Sequence, residues 1–350
     1  MIHRFIELVY TDVPEPNIVF LTRQDPPGLF YSLWKAGNLA TPVRMDETVI
    51  SASFGINDHL GDPERSPDGT EVVYSRVGHN LTPKKSSVRK VDWADTTDVE
   101  LYSETGGDLF PLSPTWKPDG SKILFRAKGG TSQLRVIKHM DPDGTNVATL
   151  HTGASGVVDP LYNYDGTLIA FTENGNIKVM NADGTGLATI TSSGDSSNVA
   201  WANTQNVLAF IDVSGSAGWR KINADGTGLT TLSTDWAFGT HSIPIKWSWL
   251  PDDSAIVTLH YVAADPSPNR HVALIAADGS GTTQVSPQRS AVAATADTRP
   301  AVFFNRIYFY GPSGLASVAL DGSDYRVDFD GTAETPDVTF HGFKGDSVNV

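Results

Sequence analysis

The sequence of 350 residues contains no cysteine. Disulfides, thiolate metal sites and cysteine nucleophiles are excluded together. Positive charge is scarce: 26 Lys and Arg stand against 40 Asp and Glu, a net charge of −14. A surface of that sign repels phosphate, so no nucleic-acid partner is expected. No apolar run approaches the length of a membrane span, so no membrane insertion is expected. The first residues, MIHRFIELVYTDVPEPN, lack both a long apolar core and a small-residue cleavage site. No signal peptide is therefore expected. With 39% hydrophobic and 19% charged residues, the composition is that of a folded globular chain.

Glycine (32) and proline (21) are plentiful, which implies many turns. The chain also repeats itself. Pro114–Phe125 reads PTWKPDGSKILF, and related phrases return at Asp62–Tyr74 (DPERSPDGTEVVY), Asp159–Phe171 (DPLYNYDGTLIAF) and Val199–Phe210 (VAWANTQNVLAF). A second phrase, apolar-x-x-apolar-Asn-Ala-Asp-Gly-Thr-Gly-Leu, follows some copies. Self-similarity at a period of roughly 40–50 residues signals a repeat architecture.

Each phrase has the grammar of strands. Ile123–Phe125, Leu168–Phe171 and Val207–Phe210 are short apolar runs without helical period. Nine Asp-Gly pairs begin at Asp68, Asp119, Asp143, Asp165, Asp183, Asp225, Asp278, Asp321 and Asp330. Asp accepts hydrogen bonds from nearby amides, and Gly supplies the positive φ of a tight hairpin. Second strands centred on Ile18–Phe20, Val72–Tyr74, Ile123–Phe125, Ile169–Phe171, Leu208–Phe210, Ile256–Leu259 and Ile307–Phe309 count out seven units. The expected fold is all-β: a closed β-propeller of seven four-stranded blades, with six or eight as the alternatives, one domain over residues 1–350. The tail phrase Thr335–Phe340 (TPDVTF) resembles a first strand and would close the ring on the first blade. Phe5–Tyr10 competes for the same slot.

The phrases Ser66-Pro67-Asp68-Gly69, Trp116-Lys117-Pro118-Asp119-Gly120 and Val179–Gly186 (VMNADGTG) resemble the repeats of TolB-type propellers, relatives of the WD type. The resemblance is clearest over about residues 60–330. It implies the fold. TolB itself is periplasmic, with an N-terminal α/β domain and six blades, so its envelope role is not carried over to a chain with seven units and no room for that domain. Other relatives of this repeat are propellers attached to serine peptidases and oligogalacturonate-lyase-like enzymes.

Chemistry is harder to find. A peptidase needs a Gly-x-Ser-x-Gly elbow, and Gly153-Ala154-Ser155-Gly156 has the wrong spacing. Asp141–Asn146 (DPDGTN) resembles a calcium loop but lacks its later Glu and occupies a hairpin position. Lys128-Gly129-Gly130 lacks the helix that would complete a phosphate cradle. Of nine histidines, His241, His260 and His271 are placed to converge at one end of the ring, where a metal-assisted lyase would need them. Their plainer reading is as strand-end residues. No cofactor is expected.

Function is expected where the repeats stop agreeing. The Asp-Gly turns crowd one face; the other carries longer, varied loops. There the candidate binding residues are a basic group (Arg76, His79, Lys84, Lys85, Arg126, Lys128) and the loop residues Trp236, Phe238 and His241, with His260 and His271 nearby. The basic group suits an acidic protein or an anionic glycan. Trp116, Trp201 and Trp247 are read as matching core positions. The leading expectation is a non-catalytic binding or structural module in a larger assembly, with a phage virion, at the tail, as its setting. A polysaccharide lyase and a TolB-like envelope partner are the alternatives.

Overall fold

The computed structural model describes residues 18–24, 30–36, 43–44, 59–78, 83–94, 97–106, 112–128, 135–153, 156–215, 217–234, 247–261, 270–287, 300–303, 306–311, 314–330 and 338–344. Every regular element among the described residues is a strand. No helix there is long and apolar enough to cross a membrane. Phe5–Tyr10 and Gly331 of the Asp330-Gly331 pair lie outside the described residues.

The strands form seven four-stranded antiparallel sheets. The first holds β1 (Ile18–Gln24), β2 (Phe30–Ala36) and β3 (Val43–Arg44). The second holds β4 (His59–Arg65), β5 (Glu71–Gly78), β6 (Lys85–Asp92) and β7 (Asp98–Thr105). The third holds β8 (Thr115–Trp116), β9 (Ile123–Lys128), β10 (Arg135–Met140) and β11 (Ala148–Thr152). The fourth holds β12 (Val158–Tyr162), β13 (Leu168–Glu173), β14 (Asn176–Asn181) and β15 (Ala188–Thr189). The fifth holds β16 (Ser196–Trp201), β17 (Val207–Asp212), β18 (Gly218–Asn223) and β19 (Thr230–Ser233). The sixth holds β20 (Trp247–Trp249), β21 (Ala255–Tyr261), β22 (Arg270–Ala276) and β23 (Thr282–Gln284). The seventh holds β24 (Ala301–Phe303), β25 (Arg306–Gly311), β26 (Gly314–Ala319) and β27 (Arg326–Asp330). The last strand, β28 (Val338–Lys344), pairs with β1 and completes the first sheet.

The turns work as their sequence implies. At Asp183 the Oδ1 accepts from the Thr185 amide at 2.9 Å and from the Thr185 hydroxyl at 2.6 Å. The same Asp-to-residue-two-on bond recurs at Asp68, Asp119, Asp143, Asp165, Asp225, Asp278 and Asp321. Asp252 does it too, with Asp253 (φ 58°) in the place of the usual glycine. These turns join the first strand to the second, or the third to the fourth, so antiparallel pairing puts them at one end of the sheets.

The core lies between sheets. Leu124 and Ile137 pack with Tyr162, Ile169 and Phe171 across the third and fourth sheets. Val73 and Val88 pack with Phe125 across the second and third. Alternating residues of one strand therefore face opposite neighbours. Indole N–H groups tie the first strands in series: Trp116 donates to the Glu64 carbonyl, Trp201 to Leu161 and Trp249 to Ala200. The expected match at Trp247 is corrected here. Trp249, directly before Leu250-Pro251-Asp252, holds the repeat position, and Trp247 packs edge-on against Trp219 at 5.5 Å.

One irregularity recurs in or just before the first strands. Ser113, Asp159 and Asn198 have φ of 46°, 48° and 51°. Each lies three residues before the aromatic that opens the turn (Trp116, Tyr162, Trp201). The pairing registers of β12 and β16 shift at this point, as does that of β4 beside Asp62. A β-bulge inserts an extra residue in one strand and bends it.

Candidate functional site

Tyrosines apart, five ionisable side chains are buried among the described residues: Arg126 (8% exposed), Glu173 (2%), Asp212 (7%), Asp253 (7%) and His271 (5%). Burying a charge is costly without a partner, so the location of such groups is informative. Asp253 sits at the turn end, where it accepts from the Asn203 amide at 2.6 Å and side chain at 3.0 Å, and from the Thr204 amide at 2.9 Å and hydroxyl at 2.6 Å. It clamps the fifth sheet to the sixth. The other four lie at the opposite end. Arg126, Glu173 and Asp212 are near or at the ends of second strands, and His271 is near the start of a third.

The densest group is between the third and fourth sheets. Arg126 alternates with Leu124, and Arg135 with Ile137, so both lie on the side of β9 and β10 turned to the fourth sheet. Glu173 shares the side of Phe171, turned back toward them. Its Oε2 accepts from Lys178 Nζ at 2.6 Å and lies 3.2 Å from His151 Nε2. His151 in turn packs on the Phe171 ring at 5.0 Å. Burial, followed by the Arg126 charge, holds the Arg135 guanidinium below its usual value. In the fifth sheet, Asp212 repeats the theme. It pairs with Arg220 Nε at 3.4 Å and accepts from the Ser214 amide at 2.9 Å.

The basic group falls into two parts. Lys84, Lys85 and Lys128 cluster around β7. Lys85 pairs with Glu100 at 2.6 Å, the Lys84 carbonyl accepts from the Gly106 amide at 3.2 Å, and the Lys128 amide donates to Glu104 at 2.8 Å. Burial raises the Glu100 carboxyl, but Lys85, Ser103 and Arg89 together outweigh it and the net shift is downward. Arg126 turns the other way, to the group beside Glu173. Arg76 lies on β5 opposite Ser87. His79, Trp236, Phe238 and His241 lie outside the described residues. His260 and His271 are direct register partners across β21 and β22. Among the described residues no three His, Asp or Glu gather to hold a metal.

Sequence reasoning missed Glu173, Asp212, His151, Lys178 and Arg220. Glu173 and Asp212 each follow a repeated phenylalanine, Phe171 or Phe210, by two residues. That is where the copies diverge, and this divergence was the available signal.

No family model matches the chain, and no curated protein matches it. Solved structures do. TolB from Acinetobacter baumannii is similar at 16% identity and a TM-score of 0.55, over 77% of this chain and 63% of that one. This chain thus spans less than two thirds of that protein's length. Oligogalacturonate lyase from Vibrio parahaemolyticus is similar at 12% identity and a TM-score of 0.58, over 86% of this chain and 91% of the lyase. A prolyl endopeptidase is similar at 10% identity and a TM-score of 0.58, over 89% of this chain and 49% of that one. The chain has a TolB-like β-propeller fold. The expectation that it is not an enzyme is overturned: this fold is shared with lyases and endopeptidases, so a flat exclusion of catalysis has no basis in it.

Proposed function

We propose that this chain is a binding module, a seven-bladed propeller forming one domain over residues 1–350, that engages an acidic partner through the end bearing the varied loops. The observation that carries this reading is the gathering of Arg126, Arg135, His151, Glu173 and Lys178 at that end, with Lys84, Lys85 and Lys128 beside them on an acidic protein. The turn end, by contrast, uses its carboxylates to build hairpins. Ring closure is supported by β28, which pairs with β1 and also packs against β4 and β26. The partner is a protein within a larger assembly. The virion setting expected from the sequence draws no support from the similar structures.

The test uses immobilised protein and a polyglutamate probe. Binding is expected to fall in a Lys84→Glu/Lys128→Glu variant and to persist in Asp183→Asn/Asp225→Asn, which alters only the turn end. The reverse pattern assigns the wrong face.

A second reading is a lyase acting on acidic polysaccharide. It is favoured by the opposed His260 and His271 and by the Vibrio lyase's similar fold. Incubation with oligogalacturonate and a divalent metal ion decides it. The unsaturated product of β-elimination absorbs in the ultraviolet. A rise in absorbance that is lost in His271→Ala supports the lyase, and a flat trace removes it.

A further inference from the structure

We propose that Arg126 and Arg135 form a fork for a single carboxylate, the side chain of an aspartate or glutamate that a protein partner inserts between the third and fourth sheets. This rests on the binding-face reading above and names the group that the face recognises.

Strand pairing places the two arginines. Arg126 lies opposite Ile137, and Arg135 opposite Lys128, so the arginines are diagonal neighbours across β9 and β10. Diagonal positions on one face are about 7–8 Å apart, within reach of long side chains. The next places along the same face, Leu124 and Ile137, are apolar and fully buried. Polar chemistry therefore begins where the face reaches the varied-loop end. Burial, then the Arg126 charge, holds the Arg135 guanidinium below its ordinary value, as two like charges brought together require.

The charges gathered there are mostly of one sign. Glu173 faces the arginines from the fourth sheet. Its Oε2 accepts from Lys178 and lies beside His151. Its Oε1 lies over Gly153, where a Cβ would come within 2.8 Å of it. Three fixed cations, Arg126, Arg135 and Lys178, thus stand around one buried carboxylate. Arg126 and Arg135 also have contacts within the protein. Each guanidinium carries five N–H donors, so such a contact leaves others for a ligand. The planar fork matches a carboxylate in two parallel bonds. Depth selects the carrier, since Arg126 is only 8% exposed. A carboxylate on a slender methylene stem reaches that depth, whereas one fixed to a sugar ring brings the ring with it. Lys84, Lys85 and Lys128 act earlier, on approach through solvent.

The experiment is calorimetric titration of the full chain with an oligoglutamate peptide, with oligoglutamine of the same length as the neutral control. Three variants accompany it. Arg135→Lys keeps the charge and loses the fork. Glu173→Gln removes the competing carboxylate, and Lys84→Glu/Lys128→Glu reverses charge on the approach. The native chain is expected to bind oligoglutamate and not oligoglutamine. Arg135→Lys is expected to lose affinity roughly ten- to a hundredfold, as for charge-assisted hydrogen bonds, and to keep that loss as salt is raised. The loss in Lys84→Glu/Lys128→Glu is expected to shrink with salt, because exposed charges are screened. Glu173→Gln is expected to bind several-fold more tightly. Native affinity in Arg135→Lys would overturn the proposal and leave the binding face standing. A loss in Arg135→Lys that comes with a melting point several degrees lower, and with no gain in Glu173→Gln, would make the pair structural and overturn it too. Tighter binding of an oligogalacturonate of equal charge would put the carboxylate on a sugar and overturn the protein source. A native chain that does not bind oligoglutamate would overturn the face reading, and the fork with it.

Discussion

A single side chain decides how each hairpin of this protein responds to acid. At Asp143, Asp183 and Asp225, hydrogen bonds from the Thr hydroxyl two residues on and then from its amide hold the carboxyl below its ordinary value. At Asp119, burial pushes upward, but Lys117 and Ser121 outweigh it and bring the carboxyl down to about 2. A carboxylate depressed in the folded state stabilises the fold fully above its unfolded value of about 3.9. That contribution fades as pH falls through the folded value. Thermal melts between pH 7 and pH 2 should therefore show a flat melting point down to about pH 4 and a steep fall below it. A Thr185→Ala/Thr227→Ala variant, which removes two of the hydroxyl donors, should show a shallower acid slope. An acid slope equal to that of the native chain would mean these bonds do not set the carboxyl values.

At the scale of the element, the third-to-fourth hairpins do more than turn the chain. Gly184 has φ of 87°, and a Cβ there would lie 2.8 Å from the Leu150 carbonyl of the preceding sheet. Gly144 meets Leu101, and Gly322 meets Val285, in the same way. Each hairpin leans on the outer strand of the sheet before it, and glycine permits the approach. Gly120, in a first-to-second turn, has φ of 72° with nothing within 4 Å. Gly120→Ala should then cost only the left-handed strain, about 1–2 kcal/mol. Gly184→Ala adds a backbone clash and should cost roughly 1–3 kcal/mol more. Urea unfolding of the two variants measures the gap, and equal losses would show that the close approach carries no weight. These hairpins were legible from Asp-Gly alone, because their chemistry is local. The Trp anchors were nearly so, except that Trp249 and not Trp247 keeps register with Trp116. The bulges beside Asp159 and Asn198 were not, since a register shift is a relation between two strands. Nor was the group around Glu173, whose members come from β9, β10, β11, β13 and β14 and meet only after the sheets pack.

For the molecule as a whole, the decisive element is β28. Six of the sheets are built from four strands in unbroken sequence, and only the first borrows one from the far end of the chain. Its register runs from Val19 opposite Lys344 to Gln24 opposite Val338. In the closed-ring reading this strand joins the two ends of the polypeptide, and the remaining contacts are between sequence neighbours. Without it, β1 presents a free edge of unpaired amides and carbonyls, a template for pairing with other chains. The first sheet also drops to three short strands at the one seam that the sequence order does not hold. A chain ending at residue 337 should still fold its central sheets, because their cores are shared only with adjacent sheets. It should melt well below the native chain, unfold over a broader range and self-associate on sizing columns. Adding the missing strand back as a separate peptide should raise the melting point with peptide concentration, as binding to the folded state requires. A truncated chain that melts as the native one does, and that ignores the peptide, would show that the fold does not depend on β28.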